Sequence, residues 1–436
     1  MMEAPHLSID QNSSEKVANK SLKEKFINIS DSVIPVSIAI YIFLNPFPHV
    51  TTLKEISYYL AVFLFIAVFL FDRDKYVFKT SFFYPFLLLL IWSIISSIFS
   101  VDIENSFHDI RSHFIRYLLL YFIVINYFKN YKETEKLQWT IVVSCTFFSI
   151  ISIIYYYFYL DYPFLYRLGE GIFVQIQTNS IAFTTVVAFV FSIFLLYKEN
   201  IFFKKIAVML CSAILFTTVL LSQTRSALIA IIAGLLIFFI NEKRKMLVLL
   251  ALIFGIVLFT PIKERFIRIY NRDGQNVRLA QNALSYEIFK DYPILGTGFG
   301  IQTYRKLDLK KYKRQLPAKY KNYKRRPFNY PHNMYFSILT RIGMVGFLLC
   351  GYLYFVFCKL CFQNYRSPDN ASSKKRILVL FSSLSGIMII GFFEPTFQHM
   401  AEQVIFTILA LTTVICDSKF NLSNSALSTN DSTLQI

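Results

Sequence analysis

The stretch LLSQTRSALIA, residues 220–230, decides how the chain is read. It lies near the middle of the 37 residues 206–242, whose only charges are Arg225 and the terminal Glu242. As one continuous helix they would extend roughly 55 Å, at ~1.5 Å per residue. That is close to two crossings of a ~30 Å hydrocarbon core. The segment therefore predicts a helical hairpin in a bilayer, with Gln223-Thr224-Arg225 as its turn. In so short a turn Arg225 lies at or below the membrane surface. Burying arginine at a span centre costs ~2.5–3.5 kcal/mol on insertion scales, and less near an edge. The charge must snorkel to headgroups, or face a polar cavity or an anion. A phosphate suits its bidentate fork.

The rest of the chain supports a bilayer reading. Of 436 residues, 55% are hydrophobic and the mean hydropathy is +0.48, above the ~45–50% apolar content of soluble domains. The 47 Phe and 28 Tyr suit lipid-facing and interfacial positions. Twelve apolar spans are expected: 33–47, 55–71, 80–99, 112–128, 138–160, 177–197, 206–222, 226–241, 246–260, 333–358, 376–393 and 401–416. The fold class is an all-α polytopic membrane protein with about 12 transmembrane helices. The N-terminus is polar and Lys-rich, so no cleavable signal peptide is expected and the first span would act as the insertion signal.

Lysine and arginine in the short loops set an orientation. They concentrate before the first span and in the loops around 73–79, 129–136, 198–205, 243–245 and 366–376. The alternate short loops hold only Lys54, Arg111, Arg167 and Arg225. The basic set is expected on the cytoplasmic side, with both termini. The expected divisions are a tail at 1–32, helices 1–9 at 33–260, a basic outer loop at 261–331, helices 10–12 at 332–416 and a tail at 417–436. His332 then faces outward, as do His49, His108, His113 and His399. His108 and His113 read as loop residues.

The loop 261–331 holds 17 Lys and Arg against 5 Asp and Glu, so +12 of the chain's +18 is concentrated there. The run RKLDLKKYKRQLPAKYKNYKRR, 305–326, interleaves tyrosines with cations. Such patches attract phosphate, anionic lipid heads or nucleic acid. Nucleic acid is excluded as a partner on the outer face of a bacterial-type membrane, which leaves phosphate-bearing lipids or glycolipids. Within the loop, Val277, Ala280, Leu284 and Ile288 recur near one helical face, and Pro293 ends the pattern. GTGFG, 296–300, follows no strand and precedes no Lys-Ser/Thr, so it reads as a tight turn and not a nucleotide loop. Cys358 and Cys361 form a lone C-x-x-C and read, with the other four cysteines, as small apolar residues of helices.

Three stretches in order, SQTRSALIA, VRLAQNALSYEIFKDYPILGTGFG and PHNMYFSILTRIGMVG, resemble the O-antigen ligase and polymerase superfamily over roughly residues 165–350. The resemblance implies a C-type, metal-independent glycosyltransferase with no cofactor. It would take a glycan from undecaprenyl pyrophosphate at the periplasmic face of the bacterial inner membrane. Ligases of this family pass the glycan to the lipid A-core, and polymerases extend another glycan. The family's turn arginine falls on Arg225, its loop arginine on Arg278 and its histidine on His332. Arg167 in YRLGEG, with Gln177 and Asn179, echoes the polar start of the sixth span. Asn282 stands where the family often has Trp.

That chemistry gives roles to residues. A departing pyrophosphate gathers negative charge that fixed cations must meet. Arg225 and Arg278 are the candidates, with Arg167 and Arg111 in support. The acceptor hydroxyl loses a proton, which a neutral His332 can receive. Attack opposite the leaving group inverts the anomeric centre. Asn333 beside the histidine, Glu394 and His399 could orient substrate. The alternatives are a polymerase of the same superfamily, which typically has two sizeable outer loops, and a lipid-linked glycan flippase.

Overall fold

The computed structural model describes residues 11–164, 166–169, 178–258, 275–321, 331–366, 371–395, 399–418 and 420. Among them no strand is present. The first helices are α1 (Gln11–Phe43), α2 (Thr51–Phe71), α3 (Phe83–Ile98), α4 (Ile103–Asp109), α5 (Arg116–Tyr127) and α6 (Tyr131–Ile154). A π-helical turn, Ile110–Ile115, joins α4 to α5, and a second, Tyr155–Tyr159, extends α6. Then come α7 (Thr178–Lys198), α8 (Phe202–Ser222), α9 (Arg225–Phe238) and α10 (Lys243–Leu258). The expected basic loop supplies α11 (Gln275–Asp291) and the short α12 (Thr303–Lys306), α13 (Leu309–Gln315) and α14 (Ala318–Lys321). The chain closes with α15 (Met334–Arg366), α16 (Ala371–Gly391) and α17 (His399–Cys416).

Each of the twelve expected spans overlaps one of these helices. Among the described residues, five helices are long and apolar enough to cross a membrane: Leu22–Phe43, Pro48–Phe71, Tyr131–Tyr159, Phe202–Ser222 and Met334–Arg366. Phe83–Ile98, Phe183–Lys198, Arg225–Phe238 and Ala401–Cys416 are shorter apolar helices. The expected N-terminal tail is itself helical from Gln11, because its Lys- and Glu-rich residues are good helix formers that simply prolong the first span. Apolar residues cover both sides of the bundle. Tyr41, Phe86, Tyr121, Phe191 and Phe357 are fully buried between helices, whereas Phe63, Leu70, Leu348 and Phe355 face outward. Such outward apolar side chains suit a lipid environment.

Side-chain caps fix several helix starts. Asp102 accepts from the Asn105 amide at 3.2 Å, Asn130 from Glu133 at 3.0 Å and Asp308 from Lys310 at 3.0 Å. Ala280, Leu284 and Ile288 are buried on one face of α11, as the sequence pattern predicts; the side chain of Val277 lies outside the described residues. Leu284 and Ile288 join Tyr304, Tyr312 and Leu316 in a small core separate from the bundle. On the solvent side, Arg305, Lys310 and Arg314 are exposed.

The GTGFG stretch is a turn, and it does more than reverse the chain. Helix α15 is broken at Gly343, whose φ of 68° lies in the left-handed region. The stretch 293–300 fills the break. Thr297 N donates to Thr340 O (2.8 Å), Gly298 N to Arg341 O (2.9 Å) and Met344 N to Pro293 O (2.8 Å). A Cβ on Gly343 would overlap the Ile294 carbonyl, and one on Gly296 the Arg341 carbonyl. Only glycine permits both the φ and the approach. From α3, Trp92 Nε1 donates to Ile342 O (2.9 Å) and Ser96 Oγ to Leu295 O (2.7 Å). The backbone groups freed by the break are thus satisfied inside the protein, as a low-dielectric surrounding requires.

Candidate active site

Arg225 stands where the sequence places it. Helix α8 ends on Gln223 in the left-handed conformation (φ 51°), Thr224 is extended and Arg225 opens α9. Gln223 and Thr224 are buried and Arg225 is half-buried. A second strand of chain lies on this turn: Arg167 Nε donates to Ser222 O (3.0 Å) and Leu168 N to Leu221 O (2.9 Å). The structure thereby brings Arg167 to the Arg225 turn.

His332 lies just before α15. Its neighbour Asn333 is the N-cap, accepting from the amides of Tyr335 (2.9 Å) and Phe336 (3.1 Å) and donating to Phe392 O (3.0 Å). Both ends of the Asn333 amide are thus held in fixing the helix start, so its contribution to the site is positional. The cap also ties α15 to the end of α16, where Glu394 is buried. One carboxylate oxygen of Glu394 accepts from Arg278 Nη2 at 2.7 Å; the other faces His332 Nδ1 at 3.4 Å. Arg278 on α11 and His332 at α15 therefore share one carboxylate. The charge of Arg278 also acts on Arg225, which places the two guanidiniums within electrostatic reach. Two like charges held together at the edge of an apolar bundle favour an anion between them.

Residues 207–351 match the family described as O-antigen ligase. That match supports the resemblance to the O-antigen ligase and polymerase superfamily. No curated protein matches the chain. The O-antigen ligase segment contains Arg225, Arg278 and His332, while Glu394 lies beyond it. Of the other expected site residues, Arg111 is exposed on the π-helical turn and no described contact links it to this cluster. Gln177 lies outside the described residues, and so do the side chains of Asn179 and His399.

Sequence reasoning missed a second polar cluster. His113 is no loop residue. It sits in the π-helical turn, buried, with Nδ1 2.6 Å from Glu402 Oε2 on α17. His108 lies in α4 and meets Asp109 at 3.0 Å. The turn is helical because the chain continues from α4 into α5 with one widened turn, which local composition does not announce. Arg341 is buried alongside; its Nε donates to Phe299 O (2.7 Å), and the charges of Asp109 and Glu402 act on it. His113, Glu402 and Arg341 border an apolar cavity of about 360 Å³. Its wall includes Met334, Tyr335, Leu353, Gly351 and Phe406, so it begins two residues from His332 and runs down α15. An ionisable residue in a span (Arg341) was the available sequence signal.

Proposed function

We propose that the protein is an O-antigen ligase. It transfers undecaprenyl-pyrophosphate-linked O-antigen polysaccharide to the lipid A-core oligosaccharide at the periplasmic face of the inner membrane, with inversion and without a metal. The observation that carries this reading is the Glu394 carboxylate shared by His332 and Arg278, with Arg225 in electrostatic reach.

In this reading Arg225 and Arg278 hold the donor's pyrophosphate, with Arg167 in support. They meet the charge that grows on the leaving oxygen as the glycosidic bond breaks. Arg278 engages Glu394 through Nη2, and a guanidinium carries five N–H donors in all, so it can bind phosphate while staying paired. His332 acts as the base. The carboxylate beside Nδ1 favours the tautomer with its proton there, which leaves the Nε2 lone pair to take the proton of the acceptor hydroxyl. That oxygen then attacks the anomeric carbon from the face opposite the pyrophosphate. The cavity of about 360 Å³ whose wall includes Met334, two residues after His332 in the chain, would take part of the donor's isoprenoid chain.

Deleting the gene and analysing lipopolysaccharide on gels tests the assignment. Uncapped lipid A-core together with accumulated lipid-linked polymer is the expected result. Caps of a single repeat would instead mark a polymerase, and accumulation of unflipped donor a flippase.

A further inference from the structure

The outer end of α6 carries an unusual run, YYYFYLDYPFLY, residues 155–166. It is neither plain helix nor plain loop. Tyr155–Tyr159 form a π-helical turn, and Asp161 takes a left-handed φ of 53° that folds the chain back. The reversal stacks three rings in parallel. Tyr156 and Tyr162 have centroids 4.3 Å apart at 10°, and Tyr162 and Tyr166 5.8 Å apart, also at 10°. Exposure rises along the stack, from 3% at Tyr156 through 38% at Tyr162 to 59% at Tyr166. The inner ring is anchored in a small core with Tyr157, Leu168 and Leu221. The hydroxyl of Tyr157 donates to Tyr166 O at 2.5 Å, and Tyr162 N donates to Tyr156 O at 3.4 Å. The outermost tyrosine is therefore held by a bonded frame.

The stack stands beside the arginine turn. Tyr166 precedes Arg167, whose Nε binds Ser222 O, and Ser222 is three residues from Arg225. We propose that the Tyr156–Tyr162–Tyr166 stack is a saccharide platform that holds the donor's glycan beside the arginines that would hold its pyrophosphate. This rests on the glycosyl-transfer reading above and extends it to a glycan subsite. The negative face of an aromatic ring attracts the positively polarised C–H face of a pyranose. Phenolic hydroxyls donate to and accept from sugar hydroxyls. A ring fixed in advance loses little rotamer freedom on binding. An interfacial belt also uses tyrosines, at the level of lipid headgroups. It has no need of parallel rings tied to one another and to the backbone of a reversed chain.

The test uses the full chain in detergent micelles. Steady-state transfer with lipid-linked donor compares the wild type with Tyr162→Ala, Tyr166→Ala and Tyr166→Trp. Each alanine variant should raise the donor KM by about three- to tenfold while kcat holds, the scale of one aromatic contact. Tyr166→Trp should restore the wild-type KM. The same Trp variant then reports binding directly. Polysaccharide released by mild acid from the cells' own lipopolysaccharide should change its emission saturably, beyond the signal of Trp92 and Trp139 in the wild type. An unchanged donor KM in both alanine variants, or emission that does not respond, overturns the platform. So does an alanine variant whose sole defect is weaker association with lipid vesicles, the signature of an interfacial belt. A wild type that binds the polysaccharide but transfers none of it to lipid A-core would overturn the ligase and leave the platform standing.

Discussion

At the residue scale the proposed site turns on one carboxylate. Glu394 is buried at the end of α16 and faces a guanidinium at 2.7 Å and an imidazole at 3.4 Å. Removing the proposed base in His332→Ala should lower transfer by about 10²–10⁴-fold, the usual contribution of general-base catalysis. Glu394→Gln keeps the shape and loses the charge, so it should lower kcat less than His332→Ala does. Initial rates with purified donor and acceptor check the order; full activity in Glu394→Gln would remove the carboxylate from the mechanism. Arg225 was legible in the sequence because it is the lone cation between two apolar runs, and an interior charge must have a reason. Glu394 was legible as a candidate, but its partners were not. Arg278 is 116 residues away and His332 is 62, and no local pattern encodes such a meeting.

At the element scale the α8–α9 hairpin, the face of α11 and the glycine turn could all be read from periodicity and turn chemistry. The break in α15 could not. Gly343 lies in ILTRIGMVG, which continues an apolar run, and the backbone that fills the break arrives from residues 293–300. Two glycines of the same helix give a contrast. Gly343→Ala places a Cβ against the Ile294 carbonyl at a left-handed φ, whereas a Cβ at Gly351 meets nothing within 4 Å. Gly343→Ala should therefore lower the thermal midpoint in detergent by several degrees. Gly351→Ala should leave it unchanged or raise it slightly, since alanine is the better helix former by ~1 kcal/mol. The α11–α13 contact adds a pH dependence. Lys311 and Tyr312 both bond Asp291 at 2.8 Å and hold its carboxyl below the usual aspartate range. Its stabilisation is present above the unfolded value of about 3.9 and is lost as pH falls through the lower folded value. Amide exchange in α13, corrected for intrinsic rates, should accelerate below about pH 4 in the wild type. Asp291→Asn should already exchange faster at neutral pH.

At the scale of the whole molecule, the polar groups gather where separate parts of the chain meet. At the broken helix the 293–300 stretch and α15 are joined by backbone bonds and α3 is tied to both through Trp92 and Ser96 side chains, beside Phe299, Arg341 and Ile342 of the cavity wall. This arrangement sets an order on synthesis. Ser96 Oγ bonds the carbonyl of Arg341, 245 residues later in the chain, and Trp92 bonds that of Ile342, 250 residues later. At ~5–20 residues per second, α3 leaves the ribosome roughly 10–50 s before its partners exist. During that interval its polar groups lack these partners and turn to water, headgroups or the helix's own carbonyls, as Ser93 does with Leu89 O. The glycine stretch and the broken helix then arrive almost together and close this seam in one late event. A nascent chain interrupted before α15 would leave that seam open, and no partly made protein could carry the proposed site, whose Glu394 comes later still.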